Sequence, residues 1–167
     1  MRRDAVLPAA GVLALGPVVG LVWWLLAPTG AVVVGPDYVL PVGTGSAGPP
    51  GDVFAASQDA VFAAAALVAG AVCGVAAGVH PPPGRAALVR WGSVVLAGLV
   101  APVLAWALGV LLGPESLAAQ QAAGADPLVS PLRLSSPAPL LVWSAATCVV
   151  TFVVSLASLL VRPPGEG

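Results

Sequence analysis

The sequence contains no lysine, no asparagine and no isoleucine, and it is poor in charge. Charged residues make up 8% of the chain and hydrophobic residues 59%, whereas soluble domains average about 25% charged residues. The net charge of −1 lacks the excess of cations that neutralises nucleic-acid phosphates. This composition excludes a soluble fold and argues against a nucleic-acid partner.

Residues that build catalytic and metal sites are also scarce. Cys73 and Cys148 both lie in apolar segments, and their spacing fits neither a metal site nor a disulfide framework. The single histidine, His80, follows an apolar helix, and we expect it to serve there as a C-terminal capping residue and not as a catalytic group. Phosphate-binding loops, nucleophile elbows, zinc motifs and dinucleotide fingerprints do not occur. We therefore predict a protein that is not an enzyme and that uses neither a metal nor a cofactor.

Four long apolar segments dominate the chain. Each has about the 20 residues that a helix needs to cross roughly 30 Å of hydrocarbon. They occupy residues 5–27, 60–79, 91–112 and 139–161. Segment 5–27 follows a basic start, as in a signal peptide, but it is too long for one and ends in the interfacial pair Trp23 and Trp24. We predict one all-α domain, 1–167, in which four transmembrane helices form an antiparallel bundle.

The arginines are distributed unevenly between the two sides of this bundle. Only Arg133 falls in the segments 28–58 and 113–138. The other side carries Arg2, Arg3, Arg85, Arg90 and Arg162. Because basic loops stay in the cytoplasm, we predict a multi-pass plasma-membrane protein with both termini and the segment 80–90 inside. That segment is short, so spans two and three should be neighbours.

The two outer segments contain short β-prone runs. Residues 31–34 and 38–42 flank Gly35-Pro36-Asp37 and predict a hairpin. Residues 127–136 can supply a further strand beside it. We therefore predict a small, partly β extracytoplasmic cap formed by the two outer loops. Asp52 is a good N-cap for the following helix, so span two should begin outside the hydrocarbon.

Small residues mark a helix-packing face in spans one and two. In span two Gly70, Gly74 and Gly78 recur at every fourth position, with Ala66 on the same face. Span one repeats this spacing with Gly16 and Gly20. Close approach between helices in lipid needs small residues on both sides. The pattern therefore predicts that Gly70 and Gly74 pack against span one through Gly16 and Gly20.

Proline and hydroxyl residues mark the other two spans. Pro102 removes the backbone donor to the Gly98 carbonyl and predicts a kink in span three. Thr147, Thr151 and Ser155 lie along one face of span four. Their hydroxyls either bond to neighbouring helices or line a polar transport pathway.

Asp59 is the acid nearest the hydrocarbon, and a carboxylate there needs water, donors or a cation. Arg133 is the one arginine on that side and precedes span four. We expect these two residues to form an ion pair that ties the cap to span two. The alternative is that Asp59 is hydrated or bonded to loop backbone amides.

The chain resembles a family of small actinobacterial membrane proteins with four predicted spans and no assigned activity. The resemblance rests on GLVWWLLAP, AVVVG, Asp59 before the glycine-rich span, RAALVRWG, ALGVLLGP and PLRLSSPAPLLVWS. It implies a topology and a lineage but no catalytic residues. We expect an accessory or assembly factor of the cell envelope that contacts the lipid bilayer and another membrane protein or a second copy of itself. The alternative is a small transporter or channel subunit.

Overall fold

The computed structural model describes residues 3–35, 37, 39–42, 54–79 and 84–161. Its elements, in chain order, are α1 (Arg3–Leu26), β1 (Ala31–Val34), β2 (Val39–Pro41), α2 (Ala55–Gly78), α3 (Arg85–Leu112), α4 (Leu117–Ala122), β3 (Leu128–Val129) and α5 (Ala138–Val161). Arg2, Asp52, His80 and Arg162 lie outside the described residues, and the predictions made for them stay predictions.

Four helices, α1, α2, α3 and α5, are long and apolar enough to cross a membrane. This confirms the predicted all-α membrane fold. Helices α2 and α3 begin about five residues before the predicted spans, at Ala55 and Arg85. The 28 residues of α3 extend about 42 Å at 1.5 Å per residue, which matches a bilayer with its headgroups. The helices therefore continue through the interfacial layers.

The bundle is a ring in which α1 contacts α3, α3 contacts α5, α5 contacts α2 and α2 contacts α1. The two extensive interfaces are α1 with α3 and α2 with α5. Helices α2 and α3 follow each other in the chain and are in contact, as predicted, but this contact is the smallest between the long helices. We call the end at which α1 begins and α5 ends the terminal end, and the opposite end the cap end.

The two interhelical segments at the cap end form an antiparallel sheet in the order β2-β1-β3. Val32 pairs with Pro41 on one side and with Leu128 on the other. Val32 is 2% exposed, so the sheet has a buried face. The predicted hairpin and the predicted third strand are both confirmed. We call residues 27–42 and 113–137 the cap.

The core joins the cap to the bundle. Trp23, Phe62 and Trp143 are completely buried, and Leu132 of the cap belongs to the same cluster. The rings of Trp23 and Phe62 meet edge to face, with centroids 5.2 Å apart and an interplanar angle of 86°. Such aromatic pairs contribute beyond the area they bury. The cap and the helices therefore share one hydrophobic core.

Candidate functional site

The glycines of α1 face α3. A β-carbon on Gly16 would lie 2.7 Å from the carbonyl oxygen of Ala101, and one on Gly20 would collide with the carbonyl oxygen of Ala105. Real β-carbons do not approach a backbone oxygen this closely. Only glycine at these two positions allows the backbones of α1 and α3 to come together.

The glycines of α2 face α5. A β-carbon on Gly74 would lie 2.7 Å from Cβ of Val150, and one on Gly70 would collide with the carbonyl oxygen of Trp143. A β-carbon on Gly78 would lie 2.9 Å from Cβ of Val154. Ala66, on the same face, is fully buried. In both helices the small residues therefore lie at a close contact with another helix.

The predicted partner of that face was wrong. Gly70 and Gly74 pack against α5 and not against Gly16 and Gly20, which pack against α3. Glycine spacing shows where a helix permits close approach. It carries no information about which helix approaches, because any backbone can fill the groove.

Hydroxyl groups of α5 bond to the glycine carbonyls of α2. Thr147 donates from Oγ1 to the carbonyl oxygens of Gly70 at 3.2 Å and of Trp143 at 2.9 Å. One turn further, Thr151 donates to the carbonyl oxygen of Gly74 at 3.2 Å. These two hydroxyls serve helix packing. The structure thus supports the packing interpretation of Thr147 and Thr151.

Ser144 of α5 supplies a hydrogen-bond donor to a carbonyl of α3 that Pro102 leaves without its helical partner. Proline lacks the N–H that would bond to the carbonyl four residues earlier, which is that of Gly98. Ser144 of α5 donates from Oγ to this carbonyl oxygen at 2.9 Å, and the bond is buried. The proline in one helix and the serine in its neighbour therefore form a matched pair.

We expect Ser144→Ala to lower the free energy of unfolding by about 1–2 kcal/mol, because it leaves the buried Gly98 carbonyl without its donor from α5. In the Pro102→Ala background the restored N–H of residue 102 can bond to that carbonyl, so Ser144→Ala should cost about 1 kcal/mol less there. The measurement is a double-mutant cycle of denaturant unfolding in detergent. Equal costs in the two backgrounds would contradict the pairing.

Gln58, near the start of α2, is a buried polar residue that is only 1% exposed. Its Nε2 donates to the carbonyl oxygens of Pro28 at 3.1 Å and Pro131 at 3.4 Å. Its Oε1 accepts from the backbone N–H of Arg133 at 3.1 Å. The side chain of Gln58 thus bonds to both cap segments.

The backbone of Gln58 ties in a third element. Trp23 of α1 donates from Nε1 to the carbonyl oxygen of Gln58 at 3.0 Å. A buried amide or indole N–H is costly unless it is paired, and here each N–H has an acceptor. One residue of α2 therefore joins α1 and both parts of the cap.

The neighbouring residue, Asp59, makes a second tether. One carboxylate oxygen accepts from the backbone N–H of Ser135 at 3.0 Å, and the other accepts from its hydroxyl. These bonds agree with the alternative of a carboxylate bonded to the loop. The ion pair of Asp59 with Arg133 stays a prediction. We call Trp23, Pro28, Gln58, Asp59, Pro131, Arg133 and Ser135 the cap junction.

Gln120 of α4 closes one edge of the sheet. Its side-chain amide donates to the carbonyl oxygen of Val129 at 2.8 Å and accepts from the Val129 N–H at 2.8 Å. Nε2 also donates to the carbonyl oxygen of Glu115 at 2.6 Å. The side chain thus takes the place of a fourth strand, which removes a free edge from β3.

Sequence reasoning identified Asp59 and Arg133 but missed Gln58 and Gln120. Both are neutral amides, so neither charge nor catalytic chemistry distinguishes them in the sequence. The available signal was position: Gln58 and Asp59 are adjacent polar residues at the start of an apolar span, and a polar side chain there needs partners.

The site holds its own elements together. Among the described residues there is no group of three or more His, Cys, Asp or Glu side chains that could hold a metal ion. Comparison of the chain with known protein families, with curated proteins and with solved structures gives no match.

Proposed function

We propose that this multi-pass membrane protein is a non-enzymatic accessory or assembly factor of the actinobacterial cell envelope, located in the plasma membrane. The observation that carries the proposal is the cap junction. It fixes a folded cap to the bundle through the three hydrogen bonds of the Gln58 side chain and through Asp59. A cap held this firmly presents a constant surface to a partner.

The cap exposes apolar side chains beside this rigid frame. Val33 of β1 is 56% exposed and Val42, just after β2, is 60% exposed. Both belong to the β1–β2 hairpin, whose register is fixed by the pairing of Val34 with Val39. Apolar side chains that stay exposed on a fixed surface are candidates for a protein contact site. We assign the partner contact to this hairpin.

The proposed orientation of the protein in the membrane follows from the positions of its arginines. Arg85 and Arg90 begin α3 at the terminal end, whereas Arg133 lies in the cap. The positive-inside rule then puts the terminal end in the cytoplasm and the cap outside. The resemblance to small actinobacterial four-span proteins supports the proposed lineage.

The alternative of a small transporter or channel subunit needs polar groups that remain open to a solute. The hydroxyls of Thr147 and Thr151 were its best candidates, and both donate to α2 carbonyls inside a packed interface. These bonds favour the accessory role over the transport role.

The test is photo-crosslinking in the native membrane. A crosslinking amino acid at Val33 or Val42 should capture one partner protein, whereas the same group at the lipid-facing Leu99 (44% exposed) should not. Membrane-impermeant thiol reagents should label Ala122→Cys, but not Arg85→Cys, on intact cells that lack Cys73 and Cys148. Capture at Leu99 alone, or solute flux through liposomes containing only the purified protein, would overturn the proposal.

A further inference from the structure

A cleft of about 270 Å³ opens between α3 and α5 toward the terminal end. Its walls include Trp91 and Val95 of α3, Cys148 and Ser155 of α5, and Ala77 near the end of α2. Phe152, 68% exposed, stands at its margin. The lining is almost entirely apolar, and the cleft faces the lipid.

Two hydrogen-bond donors of this cleft have no acceptor. Nε1 of Trp91 and Oγ of Ser155 are both buried and unpaired within the part of the chain that the structure describes. Ser155 continues the face on which Thr147 and Thr151 each have a partner on α2. A buried donor without an acceptor is costly in an apolar medium, so the pair indicates an acceptor that comes from outside the protein.

The depth of the two donors identifies the kind of acceptor. Trp91 follows the start of α3 by six residues, and Ser155 precedes the end of α5 by six, so each lies about 9 Å inside its helix end. If α3 spans the bilayer with its headgroups, the hydrocarbon begins roughly 6 Å inside the helix end. The donors then lie just within that boundary, near the ester layer of the adjacent leaflet.

Because both donor atoms are covered by protein in the structure, an outside acceptor reaches them only after their side chains rotate toward the cleft. We propose that this cleft binds one acyl chain of a diacyl phospholipid, and that the Trp91 and Ser155 side chains rotate on binding so that the lipid ester carbonyl accepts from Nε1 and Oγ. Sites that enclose a whole ligand measure roughly 300–1,000 Å³. The cleft is slightly smaller, so it takes one chain and leaves the headgroup and the second chain in the bilayer. A lipid ester supplies both the acceptor and the apolar chain that the lining requires.

The test compares two lipids that differ only in this acceptor. Purified protein is titrated with a diester phosphatidylglycerol and with its diether analogue of equal chain length, and bound lipid is counted by native mass spectrometry. The protein should retain the diester about threefold to tenfold better, as expected for one or two hydrogen bonds. The variant Trp91→Phe with Ser155→Ala should lose this preference. Ser155→Ala alone, a smaller change, should reduce it.

A matched control makes the same two substitutions, Trp to Phe and Ser to Ala, at positions whose side chains do not supply the two donors. Trp106→Phe with Ser158→Ala alters the same two helices, but Trp106 is absent from the cleft lining and the Ser158 hydroxyl already donates to the Ser155 carbonyl. This variant should keep the ester preference. Equal retention of the two lipids by the wild-type protein, retention of neither, or a preference that survives loss of both donors would overturn the proposal.

Discussion

Replacing Gln58 with leucine is expected to lower the free energy of unfolding by about 3 kcal/mol, one of the largest effects for a single polar side chain in this protein. Leucine fills a similar volume but offers no hydrogen bonds. The Arg133 N–H and the Pro28 and Pro131 carbonyls then lose the partners that the side chain provides. Each buried group left unpaired costs about 1–3 kcal/mol. The measurement is denaturant unfolding in detergent.

Gln121→Leu is the matched control, because Gln121 is an exposed glutamine of α4 in the same cap. Its effect should stay within about 0.5 kcal/mol. If Gln58→Leu is no more damaging than Gln121→Leu, then the bonds of Gln58 do not hold the cap. In that case Asp59 with Ser135, together with the packing of Leu132, must do so.

The cap junction was only partly predictable because a sequence does not distinguish a side-chain donor from a backbone donor. Asp59 and the segment around Arg133 were the right parts of the chain to connect. The bonds that the structure shows run from Ser135 to Asp59 and from the Arg133 backbone to Gln58. The bond from Arg133 to Gln58 is made by the backbone N–H, which the pattern of charges does not reveal.

The helices and the sheet were predictable because their signals are local. A run of about 20 apolar residues suffices to indicate a span, and the valine-rich run of β1 indicates a strand. Helix order in the bundle is not local. The short link between α2 and α3 favoured them as neighbours, yet packing places α2 against α5 and α3 against α1.

One signal for the α2–α5 pair was present in the sequence. Thr147 and Thr151 are four residues apart, as are Gly70 and Gly74, and each hydroxyl meets one glycine carbonyl. When two helices run nearly parallel to a common axis, equal spacing allows each threonine hydroxyl of one helix to donate to a glycine carbonyl of the other. The matched spacing explains why α5 fits α2, but it does not single out α2, because Gly16 and Gly20 of α1 have the same spacing.

The α1–α3 interface leads to the second large expected effect. Gly20→Ala should lower the free energy of unfolding by about 2–4 kcal/mol, in the range of the larger single-residue effects. The added β-carbon collides with the carbonyl oxygen of Ala105, which is backbone and cannot rotate away. The two helices must separate along their contact, and the dispersion contacts of the Trp23 ring with Gly109 of α3 weaken with distance.

Gly11→Ala is the control, because Gly11 lies in the same helix with nothing within 4 Å of an added β-carbon. Alanine is the better helix former by up to about 1 kcal/mol, so this variant should be neutral or slightly more stable than the parent. Unfolding of both variants in the same detergent separates helix propensity from close packing, since propensity changes equally at the two positions. Equal effects at Gly11 and Gly20 would mean that α1 does not approach α3 as closely as the structure places it.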